Sequence, residues 1–401
     1  MWRAAAPLNS LLCIGALILA CAPPSILRAP SIASDTRLLI KDMAGEEIPL
    51  KGPPHRVFMD ANVLAAFAMV DNGVQRLLAA SENGKRGVAA GFVDRIYPGV
   101  LGVPLSGSNA EDLLRLAPDA TLAWNVYSKK FMDVGVRPVI QLRADGKSQT
   151  AAHLNLWMLL GQITGQSPWV DQVLTRYLDQ VAIIEGCLSK SLHPPIKVVT
   201  VTANSAGLWI GGRANYYNEL LSLAGAVNPA KEFNSRMFGL EQLMLMEPDA
   251  VLLTNGDEHF TPRSLDALPE MNALRAVRTH RVYWLPDQPL FSTPVMDPLL
   301  VRWMAELFYP DAMPKELRNA YRSTYRDVFH YALSDDEIDE ALFMKENAGS
   351  AGYERFAGEG GAPNQSTRQD DGEDANTSAE IQGPQRCRHE RKAIRGPNDH
   401  C

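Results

Sequence analysis

Trp209-Ile210-Gly211-Gly212-Arg213, with Tyr216 and Tyr217 close behind, gathers two kinds of gripping chemistry in one short stretch. Aromatic faces cover apolar ligand surface, and a guanidinium fork pairs with carboxylates or with a net-negative complex. The glycines read as a loop ahead of a helix. This is chemistry for holding a molecule rather than converting one. The sequence has no GxSxG elbow and no HExxH pair; Asn204-Ser205-Ala206-Gly207 lacks the first glycine, and Ser205 has no evident His/Asp partner. The eight histidines are scattered, so the converging set that a bare zinc or manganese ion needs is not visible. The five cysteines show no CxxC spacing, which excludes a zinc ribbon and a disulfide-dense scaffold. The chain reads as a non-enzyme, with free-metal capture and an exported hydrolase as lesser alternatives.

Such residues need a frame. At 401 residues the chain is long enough for two domains plus extensions, and 46% hydrophobic with 21% charged residues is ordinary for a globular protein. The net charge of −7, without a Lys/Arg stripe, argues against nucleic-acid binding. Leu38–Asp42, the turn Met43-Ala44-Gly45 and Ile48–Leu50 suggest a hairpin; Val57–Met59 is a strand, followed by a helix over 63–70. Pro118–Trp124 and Val136–Leu142 are further strands, and this alternation implies a parallel α/β sheet. Residues 149–189 are helical throughout, lightly broken near Gly161 and Gly165, with Ser167-Pro168 restarting the helix as N-cap and first-turn proline. Strand text resumes at Lys197–Val201.

A weak repeat organises the whole. Ser108–Ala120, ending Leu-Ala-Pro-Asp-Ala, matches Phe238–Ala250, ending Met-Glu-Pro-Asp-Ala, and each leads into an apolar strand. Two occurrences flanking a long helical segment imply two similar lobes on a helical strut. At the N-terminus, Arg3 and the apolar run Leu11–Ala20 read as an export signal, too short to span a bilayer. Ile18-Leu19-Ala20-Cys21 is similar to a bacterial lipobox, which would make Cys21 a lipidation site; ordinary cleavage after an alanine is the other reading. The expected organisation is an export signal over 1–21, a tether over 22–37, an N-terminal lobe over 38–147, a helical backbone over 148–192, a C-terminal lobe over 193–343 and a disordered tail over 344–401.

Four motifs in order carry a family resemblance. They are Lys41–Leu50 with His55-Arg56-Val57; the paired Glu-x-Leu-x-x-x-x-Pro-Asp segments; Trp209–Arg213 with Tyr217–Asn228; and Leu274–Arg278 with Arg281-Val282-Tyr283. Over about residues 38–343 the chain resembles the iron–siderophore/cobalamin class of ABC-transporter substrate-binding proteins, the class with a helical backbone. That resemblance implies an α/β fold of two similar lobes with mainly parallel sheets, and a ligand cleft between them. It implies capture of a metal chelate and delivery to an ABC permease, in the periplasm or on the outer face of the cytoplasmic membrane. Membrane contact would come only through a possible lipid anchor.

By motif position the family's permease-docking acids map to Glu111 and Glu241. The cleft should collect loops at the carboxyl ends of the strands. That selects Asp60, Asn62, Trp124, Asn125, Tyr127 and Arg143 on the first lobe, and Asn204, Trp209, Arg213, Tyr216, Tyr217, Asn255, His259 and Asp287 on the second. A tyrosine oxygen or His259 would be able to ligate an exposed iron position. The segments Tyr321–Phe329 and Leu333–Ile338 resemble an extension of iron-complex binders, which favours an iron(III) chelate, siderophore or haem, over cobalamin or another metal chelate.

Overall fold

The computed structural model describes residues 37–358 apart from 88–89, 108, 144–147, 191–193, 205–206, 214, 235, 239, 255–260, 267–268 and 287–288. Strands β1 (Leu38–Lys41) and β2 (Glu47–Leu50) form the expected hairpin, Leu38 pairing with Leu50. Asp42 makes the turn: its Oδ1 accepts the amides of Ala44 and Glu46, and its Oδ2 accepts that of Gln141, tying the hairpin to the sheet behind it. There follow β3 (Val57–Met59), α1 (Leu64–Asp71), β4 (Leu77–Ala80), α2 (Val93–Ile96), α3 (Ala110–Leu116), β5 (Ala120–Trp124), α4 (Asn125–Asp133) and β6 (Val139–Leu142). The four strands β4-β3-β5-β6 are all parallel. Residues 64–70 of α1 are apolar all round and all buried, as a crossover helix under a parallel sheet must be.

The helical strut is two helices, α5 (Gln149–Thr164) and α6 (Ser167–Leu188). Gly165, at φ +76, ends α5 in the left-handed conformation that glycine adopts without strain. Gly161 does not break the helix. It lets the helices close up, since a Cβ there would sit 2.9 Å from Val170 Cγ2. Gln166 is the N-cap of α6, so Ser167 and Pro168 fall one place later than expected, inside its first turn.

The second lobe contains β7 (Ile196–Asn204), β8 (Gly207–Ile210), α7 (Tyr217–Leu223), β9 (Ala226–Val227), β10 (Arg236–Phe238), α8 (Leu240–Met246), β11 (Ala250–Leu253), α9 (Pro262–Asp266), α10 (Arg275–Arg278) and β12 (Val282–Trp284). Its strand order is β10-β8-β7-β11-β12, with β9 beside the start of β7. Strands β9, β7, β11 and β12 are parallel, whereas β8 and β10 are antiparallel additions, so Trp209 lies on a strand and not in the expected loop. Helices α11 (Thr293–Phe308), α12 (Leu317–Phe329) and α13 (Asp335–Ala341) complete the body.

The sequence repeat is a structural duplication. Helices α3 and α8 are each followed by a residue at φ 45 (Ala117, Glu247), then Pro, Asp and a central strand. The Asp119 carboxylate accepts the amide of His55 at 3.0 Å, and the Asp249 carboxylate accepts that of Lys197 at 2.9 Å. Each aspartate amide returns the bond, to Arg56 and Lys197 carbonyls, both at 2.8 Å. The adjacent registers also match, Val57 with Ala120 and Val198 with Ala250.

One apolar cluster holds the inner faces of both sheets (Val57, Leu122 and Ile140; Val198 and Leu252) together with α1, α5, α6 and α11. The outer faces pack separately, around Leu113 of α3 in the first lobe and Leu243 of α8 in the second. Every residue of α11 is buried.

The body also extends past residue 343, against the expectation of a tail from 344. Asn347 brackets Trp284, accepting its amide at 2.6 Å and donating to its carbonyl at 3.0 Å; Ser350 donates to the Val282 carbonyl at 2.7 Å. Residues 347–351 thereby cover the open edge of β12, and Tyr353 and Phe356 are buried. Sparse polar text concealed this because a few aromatics suffice to anchor it. Tyr353→Ala should destabilise the protein by about 3–5 kcal/mol, as large-to-small changes at buried aromatics do, measured by urea unfolding; an unchanged midpoint would mean that this segment is not part of the core.

Candidate functional site

The chain ends of the first sheet build a cavity of about 560 Å³, lined among others by Asp60, Glu82, Asn83, Leu105, Tyr127 and Lys130. Asp60 follows β3, and Ser81 follows β4; the Ser81 amide donates to the Met59 carbonyl at 2.9 Å, and Asn83 Nδ2 donates to the Asp60 carbonyl at 2.6 Å. Gly84 is required where this turn crosses β3, since a Cβ would lie 2.2 Å from the Met59 oxygen. Tyr127 and Lys130 are three apart on α4 and share a face. Lys130 Nζ stands 3.5 Å from Asp60 Oδ2 and 5.6 Å from the Tyr127 ring centre. Asp60 is nearly buried and Tyr127 half exposed, so the cavity offers one aromatic face, one cation and two carboxylates.

A line of rings leads from this lobe to the other. Trp124 donates Nε1–H to Asn62 Oδ1 at 2.8 Å, and its ring centre is 5.2 Å from that of Phe291. Phe291 meets His153 of α5 edge-on at 4.8 Å, His153 meets Tyr216 at 5.0 Å, and Tyr216 meets Tyr217 at 5.4 Å. Under the rings lies a polar layer. His153 Nδ1 is 2.7 Å from Thr293 Oγ1, the Tyr216 hydroxyl is 3.1 Å from the same oxygen, and it donates a short hydrogen bond to Asp297. Burial pushes His153 down to about 4, against the opposing Glu219 charge, and pushes Asp297 up to about 8, against the pull of the Tyr216 hydrogen bond. Both shifts favour the uncharged forms of these two groups. Glu219 closes it on the far side, its carboxylate accepting Ser148 Oγ and the amides of Gln149 and Thr150 at the start of α5.

Tyr127 and Trp124 thus lie where the sequence puts them, at the carboxyl end of β5. Arg143 follows β6 and is half-buried. Trp209 is 44% exposed and stands opposite Thr202. Arg213 is exposed and spends one arm on the Glu232 carbonyl at 2.7 Å. Tyr216 and Tyr217 belong to the seam, but the Tyr216 oxygen is engaged by Asp297 and Thr293, so it does not stand open as an iron ligand. Asn255, His259, Asp287 and Cys21 lie outside the described residues, as does the side chain of Asn204.

Lys130, His153, Phe291 and Asp297 are the residues that sequence reasoning missed. Lys130 was findable as the helical neighbour of Tyr127, and Asp297 as the one carboxylate in the apolar run 293–301. Among the described residues no three His, Cys, Asp or Glu side chains converge to hold a metal ion. Glu111 and Glu241 sit in the first turns of the duplicated helices α3 and α8, exposed, with Leu114 (54%) and Leu245 (84%) exposed on the same helices.

Two duplicated α/β lobes stand on a helical strut, with a cavity at the strand ends of the first and a seam between them, a frame able to hold a small molecule. Residues 106–289 match the family model described as periplasmic binding protein. That match runs from the later part of the first lobe through the helical strut and most of the second lobe. Among solved structures it is similar to a periplasmic solute binding protein from Veillonella parvula, with a TM-score of 0.67 and 22% identity over 78% of this chain and 99% of that one. It is also similar to the molybdate periplasmic binding protein MolA of Haemophilus influenzae (TM-score 0.61, 14% identity, 74% and 99% covered) and to Helicobacter pylori CeuE in a nickel–histidine complex (TM-score 0.60, 17% identity, 77% and 99% covered). No curated protein sequence matches the chain. No helix among the described residues is long and apolar enough to cross a membrane.

The seam predicts a pH dependence. An Asp297 carboxyl near 8 in the fold and near 4 when unfolded binds its proton more tightly in the native state, so its contribution to stability falls as pH rises between those values. Asp297→Asn, which cannot ionise, should gain on the parent by at least ~1 kcal/mol, one pKa unit's worth, between pH 5 and pH 9 in urea unfolding. Equal gaps at both pH values would remove the assignment.

Proposed function

We propose that the protein captures an iron(III) chelate, a siderophore or haem, outside the cytoplasm and hands it to an ABC permease. The observation that carries this reading is the cleft itself. A cavity of about 560 Å³ with an aromatic wall suits a small molecule, whereas a bare ion would need a tight ring of ligands instead. Tyr127 and the exposed face of Trp209 would cover apolar parts of the guest, Lys130 and Arg143 would pair with its carboxylates or net negative charge, and Trp124 with Tyr217 would close the seam. Arg213, Tyr216, Asn255 and His259 complete the proposed ligand set. The solved structures with this fold include binders of molybdate and of nickel complexes, which is the range of anionic and chelated solutes that such a cleft accepts.

Delivery would use Glu111 and Glu241, presented at matching places on the two lobes beside exposed Leu114 and Leu245. Rim charges of this kind set orientation and encounter more than affinity. The export signal over 1–21 and acylation at Cys21 belong to the same proposal, placing the body at the outer face of the membrane.

A panel of ferric siderophores, haem, cobalamin and nickel chelates, screened by melting shift and tryptophan quenching, tests the ligand. One iron complex should bind with micromolar or tighter affinity and raise the melting point by mass action. Lys130→Glu should then weaken it at least tenfold, about 1.4 kcal/mol. A panel in which only cobalamin or a bare metal ion binds would replace the iron-chelate reading. For docking, Glu111→Lys with Glu241→Lys should lower uptake while leaving ligand affinity intact; a fall in affinity would reassign both residues to the cleft.

A further inference from the structure

The duplicated helices α3 and α8 differ in what they show to solvent. Resting on the transport reading above, we propose that α8 is the anchor of the permease-docking surface and α3 its weaker, orienting contact. Met244 and Leu245 enter an apolar recess of the permease that has a cation at its edge for Glu241.

Duplication fixes the correspondence. Residues 108–120 repeat as 238–250, so Glu111 matches Glu241, Leu113 matches Leu243, Leu114 matches Met244 and Arg115 matches Leu245. Leu113 and Leu243 are buried and hold each helix against the outer face of its sheet. The residues three and four places after each glutamate share its helical face. Leu114 is 54% exposed and Met244 40%, so a large apolar side chain stands in the open at the same place in both copies. One exposed leucine is ordinary; the same exposure in each copy of a duplicated helix marks a contact surface.

Charge does not separate the two helices. Glu111 and Asp112 against Arg115 leave α3 one net negative charge, and Glu241 by itself leaves α8 the same. Both therefore steer a basic partner about equally. The contact that follows is unequal. On α3 the fourth residue after the glutamate is Arg115, whose guanidinium stands 3.8 Å from Glu111 and 3.2 Å from Asp112. An incoming cation must share those carboxylates with it, and burying Arg115 would cost its hydration. On α8 the same place holds Leu245, 84% exposed beside Met244, and the helix has no lysine or arginine of its own to meet Glu241. Covering that pair removes apolar surface from water, and the centres of interfaces are apolar, poor in charge and enriched in methionine. An apolar recess with a cation at its edge complements α8 better than α3.

Uptake by whole cells tests this. In the source organism deleted for the chain, parent and variant full-length chains are supplied at a limiting level, and uptake of radioiron from haem, a ferric hydroxamate and a ferric catecholate is measured. Met244→Gln with Leu245→Gln should lower uptake by about tenfold or more, and Leu114→Gln by no more than about threefold. Glutamine keeps the helix and adds no charge, so melting point and ligand quenching should stay at the parent's values in both. Raising the level of the double variant should recover uptake, because affinity for the permease is what falls. Equal losses from the two changes, no loss from the double variant, or a loss that a higher level does not relieve would overturn the proposal and leave transport standing. A parent chain that restores no uptake would overturn the transport reading and the anchor with it.

Discussion

The structure depends on one shared apolar core. The inner faces of the two sheets do not end in separate domains; they pack onto the same helices, α5, α6 and α11, and form one cluster from Ile40 to Phe356. Pulling the lobes apart would expose that surface at roughly 25 cal/mol per Å², so large hinge opening is costly. The first lobe is also held from outside. Arg95 of α2 grips Glu340 of α13 at 2.8 Å, Tyr325 of α12 donates to the Gly91 carbonyl at 3.1 Å, and a Cβ at Gly91 would meet Pro289 at 2.4 Å. A guest must therefore be met mainly by loops and side chains at the strand ends.

Against that rigid base, the buried centre of the seam is polar, with the Glu219 carboxylate at its far side. His153 and Asp297 are buried where ionisation is expensive, and each is shifted toward its neutral form. Uncharged polar groups under an aromatic surface can orient the rings without imposing a field on the ligand. Lys130, Asp60 and Glu82 line the cavity of the first lobe.

Duplication explains the layout. The Pro-Asp corner recurs with the same hydrogen bonds because it solves one local problem twice: it turns a helix into a central strand while the carboxylate fastens the start of the neighbouring strand. The second lobe departs from the first by inserting β8 and β10, which carry Trp209 to an exposed position opposite Thr202. The lobes are similar in frame and different in what they present.

Local signals made the frame legible from the sequence alone: the Met43-Ala44-Gly45 turn in the hairpin, Gly165 at the break between the long helices, and the paired Pro-Asp corners. Each is a short-range constraint on backbone angles or hydrogen bonds, and such constraints are written within a few residues. The antiparallel strands around Trp209, the folded segment 344–358 and the ring line through Phe291 and His153 were decided only in three dimensions. They arise from contacts between residues far apart in the chain, such as Trp124 with Phe291 and His153 with Thr293, where burial and partner choice outweigh local propensity. The charge state of Asp297 belongs to the same class, because a carboxyl's proton is set by what surrounds it and not by its neighbours in sequence.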